Sequence, residues 1–84
     1  MASYKVEFAK QVQKDFRKIP KPDAEKILRQ IAELATQPFP SNSKKLKGEE
    51  LYRVRIGNYR VIYEIHGDRL VITVVKVGHR KDVY

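Results

Sequence analysis

Three arginines cluster around one tight turn: Arg53 and Arg55 precede Gly57-Asn58, and Arg60 follows it. Apolar residues alternate with them, Tyr52, Val54 and Ile56 before the turn and Tyr59, Val61, Tyr63 and Ile65 after it. A period of two marks strands with one buried face. Glycine followed by asparagine is a two-residue hairpin signal, because both residues tolerate positive φ. That register sets Ile56 opposite Tyr59 and Arg55 opposite Arg60, with Arg53 two residues back on the same face. Opposed residues have Cβ atoms about 4.5–5.5 Å apart, and like charges at about 5 Å repel by about 1 kcal/mol in water. A fold gains nothing from such an arrangement, so an anion is its reason. Lysine would be the usual choice for blunting a sheet edge. Arginine at all three positions favours planar, bidentate recognition of phosphate oxygens.

A second constellation is Gly78-His79-Arg80-Lys81-Asp82-Val83-Tyr84. An aromatic beside arginine and histidine suits base stacking and phosphate binding. Other single residues are less telling. His66 beside Gly67 reads as a solvated turn residue, and Glu64 as a surface partner for one of the arginines. The two histidines lack companions at metal-ligand spacing, so no metal site is expected. A phosphate-cradling glycine loop and a serine or cysteine nucleophile constellation are both missing from the sequence.

The elements that must position these groups are legible in outline. Tyr4, Val6 and Phe8 alternate with Lys5 and Glu7, which predicts a short strand. Phe8, Val12, Phe16 and Ile19 recur at helical spacing and predict a short amphipathic helix over about 9–18, stopped by Ile19-Pro20-Lys21-Pro22. A second helix follows, with Pro22 near its first turn, Asp23 and Glu25 at its positive end, and an apolar stripe of Ile27, Leu28, Ile31, Leu34 and Ala35. Pro38 and Pro40 end it. Residues 38–43 read as a loop and Lys44-Lys45-Leu46-Lys47-Gly48 as a basic connector. The hairpin strands come next, then a turn at Gly67-Asp68 and a nearly continuous apolar run over 70–77, as expected of a central strand. Residues 78–84 read as a polar tail. The expected fold is α+β, in the order β-α-α-β-β-β, with two helices on one face of a mostly antiparallel sheet.

The chain has 84 residues, which bounds it to one domain, 1–84, with a thin core. It has no cysteine, so disulfides and thiolate metal sites are excluded, and a reducing cytoplasm is the expected compartment. No apolar run approaches the ~20 residues of a membrane helix, and the first residues lack a signal-peptide pattern. Eighteen Lys and Arg against ten Asp and Glu give a net charge of +8. The natural partners are nucleic acid, an anionic membrane face or an acidic protein.

Leu46-Lys47-Gly48, LYRVRIGNYRVIYEI and VVKVGHRKDVY resemble the RelE/ParE superfamily of toxins from type II toxin–antitoxin pairs, most closely its RelE branch, and the segment order matches along essentially the whole chain. The resemblance implies a ribosome-dependent endoribonuclease that cleaves mRNA in the ribosomal A site and inhibits translation. Attack of a 2′-hydroxyl on the adjacent phosphate would leave a 2′,3′-cyclic phosphate and a 5′-hydroxyl, with no metal and no cofactor. Arg60 matches the arginine on the scissile phosphate, and Arg80 the second phosphate arginine near the leaving group. Tyr84 matches the tyrosine assigned to base stacking or proton transfer. Arg53 and Arg55 match two positions that are lysine in the best-known members. Arginine cannot act as a base as a tuned lysine can, so Arg53 and Arg55 stabilise charge, and proton traffic falls to Tyr84 or His79. Lys44, Lys45, Lys47, His79 and Lys81 are the expected RNA contacts. Implied partners are the ribosome with its mRNA and rRNA, and an acidic, partly disordered cognate antitoxin; a membrane is not among them. Two other readings share the fold: a ParE-like toxin that binds DNA gyrase, and a basic RNA- or ribosome-binding module that cleaves nothing.

Overall fold

In the computed structural model, which describes residues 3–46, 51–79 and 81, the chain runs β1 (Lys5–Phe8), α1 (Lys10–Arg17), α2 (Lys21–Glu33), β2 (Ser43–Lys45), β3 (Leu51–Ile56), β4 (Tyr59–His66) and β5 (Val71–His79). The strands form one sheet in the order β1-β5-β4-β3-β2. β1 runs parallel to β5 and every other pair is antiparallel. This is the expected α+β class, with three departures from the expected detail.

Ser43–Lys45, read from sequence as the end of a loop and part of a connector, is a fifth strand paired with Val54, Arg53 and Tyr52. Three residues are too few to show a period of two, and exposed lysines are ordinary on an edge strand. The turn before it is closed by Ser43, whose backbone N–H and hydroxyl both donate to the Pro40 carbonyl, at 2.9 and 2.7 Å. Second, Gly78 and His79 belong to β5 and not to a tail, because β4 is long enough to pair them with Arg60 and Tyr59. The middle of the sheet is therefore β4, with β5 between β4 and β1. Third, Phe8 and Leu28, assigned to buried stripes, are 45% and 44% exposed.

One end of each helix is as its sequence suggests, while Glu25 falls beyond the first turn of α2. Pro22 and Asp23 sit in the first turn of α2, and Lys14 and Arg17 in the last turn of α1, where they favour the helix dipole. Val12 and Ile19 from the α1 region and Ile27, Ile31 and Leu34 from the α2 region pack on Val54, Ile56, Val61, Tyr63, Ile65, Ile72, Val74 and Val77. A bulge explains the three-residue spacing between the buried Val74 and Val77 of β5. The register jumps between Ile62 and Tyr63, which pair with Lys76 and Val74. The extra residue lets Val74 and Val77 both face the core. The Val77 N–H at this irregularity donates to Asp15 Oδ2 of α1 at 3.0 Å, tying helix to sheet.

Tyr63 is fully buried, and its hydroxyl donates to the Pro38 carbonyl at 2.9 Å. Burial, first among the causes, pushes its pKa above the ordinary 10.0. The folded chain thus holds this proton more tightly than the unfolded one. The associated stability is complete below about pH 10 and is lost as pH rises through the ionisation. Tyr63→Phe is expected to cost about 1 kcal/mol at neutral pH and to flatten the alkaline loss, read by urea unfolding at pH 7 and at pH 10.5. An unchanged midpoint at pH 7 would show that the Pro38 bond contributes nothing.

Candidate nucleic-acid interface

The face of the sheet away from the helices carries the arginines. β3 and β4 pair with Arg55 opposite Arg60 and Ile56 opposite Tyr59, the register that the Gly57-Asn58 turn predicts. Of these two turn residues only Gly57 takes a positive φ, +61°, which fits the hairpin turn with glycine in first position. Arg53 lies two residues from Arg55 on the same face, opposite Ile62 on one side and Lys44 of β2 on the other. Two like-charge pairs, Lys44 with Arg53 and Arg55 with Arg60, therefore stand side by side. At cross-strand spacing each repels by about 1 kcal/mol in water.

Arg60 sits differently from the rest. It is half-buried, on the middle strand, and its Nε atom is shielded from solvent. Its neighbour on β5 is Gly78, which contributes no side chain, and its neighbour on β3 is Arg55. Sequence reasoning gave Gly78 no role, because its placement depends on β5 running beyond its apolar residues. Arg55 is exposed, and its backbone is clasped by Asn42. The Asn42 Nδ2 donates to the Arg55 carbonyl at 2.7 Å, and the Arg55 N–H donates to the Asn42 carbonyl at 3.5 Å. A cleft of about 280 Å³ lined by Ser41, Asn42, Lys44, Arg53 and Arg55 opens beside it.

The remaining expected site residues do not all gather here. Lys45 pairs with Tyr52, which places it on the helix side of the sheet, apart from the arginines. His79 pairs with Tyr59 and also lies on that side, with the two rings edge-on at a centroid distance of 5.7 Å. Its Nδ1 accepts the Lys81 N–H at 3.3 Å. Tyr59 is fixed by its hydroxyl, which donates to Asp23 Oδ2 of α2 at 3.1 Å. Desolvation, and then Asp23, raise its pKa above the usual value, so it remains a donor. Glu64 and His66 are joined at 3.1 Å, so the structure pairs the carboxylate with the histidine at the far end of β4. Lys47, Arg80 and Tyr84 lie outside the described residues. Among the described residues, no three His, Asp or Glu side chains group closely enough to hold a metal ion, and no helix is long and apolar enough to cross a membrane.

Chemically, the face offers fixed positive charge. Arg55 and Arg60 can hold non-bridging phosphate oxygens and stabilise the charge of a pentavalent phosphorane. Neither arginine can accept a proton at neutral pH.

Several comparisons with known proteins agree on a family for this chain. The family model for the ParE toxin of type II toxin–antitoxin systems matches residues 6–84. RelE3, a toxin of Methanocaldococcus jannaschii, is 35% identical, with 95% of this chain and 94% of that protein covered. In solved structures, the archaeal RelE–RelB complex of Pyrococcus horikoshii contains a chain that superposes with a TM-score of 0.85 at 33% identity, covering 96% of this chain and 99% of that one. The RelB–RelE antitoxin–toxin complex of Methanococcus jannaschii gives a TM-score of 0.76 at 34% identity, covering 93% and 94%.

Proposed function

Because this chain belongs to the RelE/ParE family of type II toxin–antitoxin toxins, we propose that it acts as a ribosome-dependent endoribonuclease that cuts mRNA in the A site. The observation that carries this reading is Arg60 on the middle strand, flanked by Arg55 on one side and by the bare backbone of Gly78 on the other. A toxin that only docked on another protein would have no need of a half-buried guanidinium set directly opposite a second one.

The reaction begins with the 2′-hydroxyl of one nucleotide attacking the phosphorus that follows it. The O2′–P bond forms, the bond to the next nucleotide's O5′ breaks, and the products are a 2′,3′-cyclic phosphate and a 5′-hydroxyl. One proton leaves the attacking oxygen and one reaches the departing oxygen. Arg60 holds the scissile phosphate and Arg55 adds charge from the neighbouring strand; both act most strongly when the phosphorane carries its extra negative charge. Arg80 serves the leaving-group side, and Tyr84 stacks on the base or relays a proton. The ribosome supplies what this open face lacks, a framework that holds the codon in line. The chemistry takes place in the cytoplasm, where the ribosomes are.

The solved relatives stand in complexes with RelB antitoxins. An acidic, partly disordered antitoxin is the corresponding partner proposed for this chain. Its charge is opposite to the +8 of this one, so long-range attraction would speed the encounter.

Primer-extension mapping on purified ribosomes with an occupied P site and an empty A site tests the proposal. The expected result is cuts inside the A-site codon, present with ribosomes and absent on free mRNA. Folded protein that leaves the message intact overturns it. The family description also covers ParE toxins, so inhibition of gyrase supercoiling by the same preparation would then decide for the second reading.

A further inference from the structure

We infer that the sheet carries a second phosphate subsite, formed by Lys44 and Arg53 over the Ser41–Asn42 loop, which takes the RNA phosphate next to the scissile one. The inference rests on the mRNA-cleaving reading and divides its site in two.

The division follows from sheet geometry. Arg53 and Arg55 share a face and stand roughly 6.7 Å apart, two rises of an antiparallel strand. Lys44 faces Arg53, and Arg60 faces Arg55. The four cations thus sit at the corners of a sheared block. Lys44 and Arg60 lie at opposite corners, two strand spacings apart as well as two residues along, on the order of 12 Å. A single phosphate does not span that distance. Two successive phosphates of an extended RNA strand do, one over each opposed pair.

The second pair also has a built floor. Ser43 folds the preceding turn through its two bonds to Pro40, and Asn42 clasps the Arg55 backbone. The resulting cleft of about 280 Å³ is lined by Ser41, Asn42, Lys44, Arg53 and Arg55. It is slightly smaller than the ~300–1,000 Å³ of pockets for drug-sized ligands, and its lining is polar and cationic, as a phosphodiester requires. Arg53 thereby becomes a binding residue, one step removed from the bond that breaks.

The test is an NMR titration of the isotopically labelled chain with two ligands whose 2′-oxygens are methylated and cannot attack: a dinucleotide with one internal phosphate and a trinucleotide with two. The trinucleotide is expected to bind about tenfold tighter, since one more charged hydrogen-bonding group is engaged. In the Lys44→Ala/Arg53→Ala variant that advantage is expected to vanish. The slope of log affinity against log salt should fall in magnitude by about 0.7, the share of one single-strand phosphate. Far-ultraviolet circular dichroism of the variant confirms that it is folded. If the trinucleotide gains nothing over the dinucleotide, or if the folded double variant keeps the gain, the subsite is wrong. The outcome is independent of cleavage. A chain that shows the gain yet cuts nothing on ribosomes overturns the nuclease reading alone, and one that cuts but shows no gain overturns the subsite alone.

Discussion

Arg60→Ala is expected to lower ribosome-dependent cleavage by roughly 100–1,000-fold, the usual cost of removing one preorganised charge-stabilising donor, while leaving the fold intact. The second half of that expectation follows from the pairing. Arg60 faces Arg55 across β3 and β4, so its removal relieves a repulsion of about 1 kcal/mol in water, against the loss of the contacts Arg60 itself makes. Its aliphatic stem covers part of the sheet, and losing that packing offsets the relief. The unfolding midpoint should therefore move little. Arg60→Lys keeps the charge but loses the planar fork, and belongs between wild type and the alanine variant. Single-turnover cleavage at saturating enzyme is the informative measurement, because it separates chemistry from binding. A folded Arg60→Ala variant that cuts at the wild-type rate would remove Arg60 from the reaction.

The contrast between Arg60 and the other cations shows how far a sequence specifies a site. Gly57-Asn58 fixes the register of β3 and β4, and through it the opposition of Arg55 and Arg60, because a two-residue turn leaves no freedom in which residues face each other. The two helices are equally legible, since their apolar spacing and their prolines are local signals. The fifth strand is not. Ser43–Lys45 is too short to carry a pattern, and its pairing with β3 is a long-range event. With it goes the distinction between Lys44 and Lys45, adjacent in sequence and on opposite faces of the sheet. The position of β1 was equally hidden. Its place beside β5 depends on a crossover through both helices, and nothing within Lys5–Phe8 encodes it. His79 is expected among the RNA contacts as part of a tail over 78–84 that could fold beside the hairpin. Strand alternation puts it on the other face, against Tyr59.

The arginine-rich face also bears on rate. Where lysines could in principle lose a proton to become bases, Arg53 and Arg55 remain charged throughout the physiological range. The face is therefore suited to stabilising charge, and the proton steps fall to groups outside it. On this reading a pH–rate profile reports the ionisation of those groups and not of the arginines. On the same reading the positive face attracts RNA electrostatically, so activity should fall steeply with added salt.

Tyr63→Ala is expected to unfold most of the isolated chain at 37 °C. Among the described residues Tyr63, on the middle strand of the sheet, is the largest fully buried side chain. Its ring stacks on Tyr52 at a centroid distance of 5.9 Å, and Tyr52 in turn holds Phe39 edge-on at 5.2 Å. Its hydroxyl secures the Pro38 carbonyl after α2. Truncation of a buried aromatic costs about 3–5 kcal/mol, and small domains have only about 5 kcal/mol in hand at the lower end of the usual range. Unlike the Tyr63→Phe change, which removes one hydrogen bond, this one opens a cavity beneath Tyr52 and Phe39. Urea unfolding followed by circular dichroism should show a midpoint near zero denaturant. A bound antitoxin that recognises only the folded chain returns about 2.7 kcal/mol at a hundredfold excess over its dissociation constant. The variant should therefore be recovered folded when co-expressed with that partner and lose structure when separated from it. Arg60→Ala should show the opposite pattern, folded alone and inactive. A Tyr63→Ala chain that stays folded alone, with a midpoint within about 1 kcal/mol of wild type, would mean that the aromatic stack is not what holds α2 to the sheet.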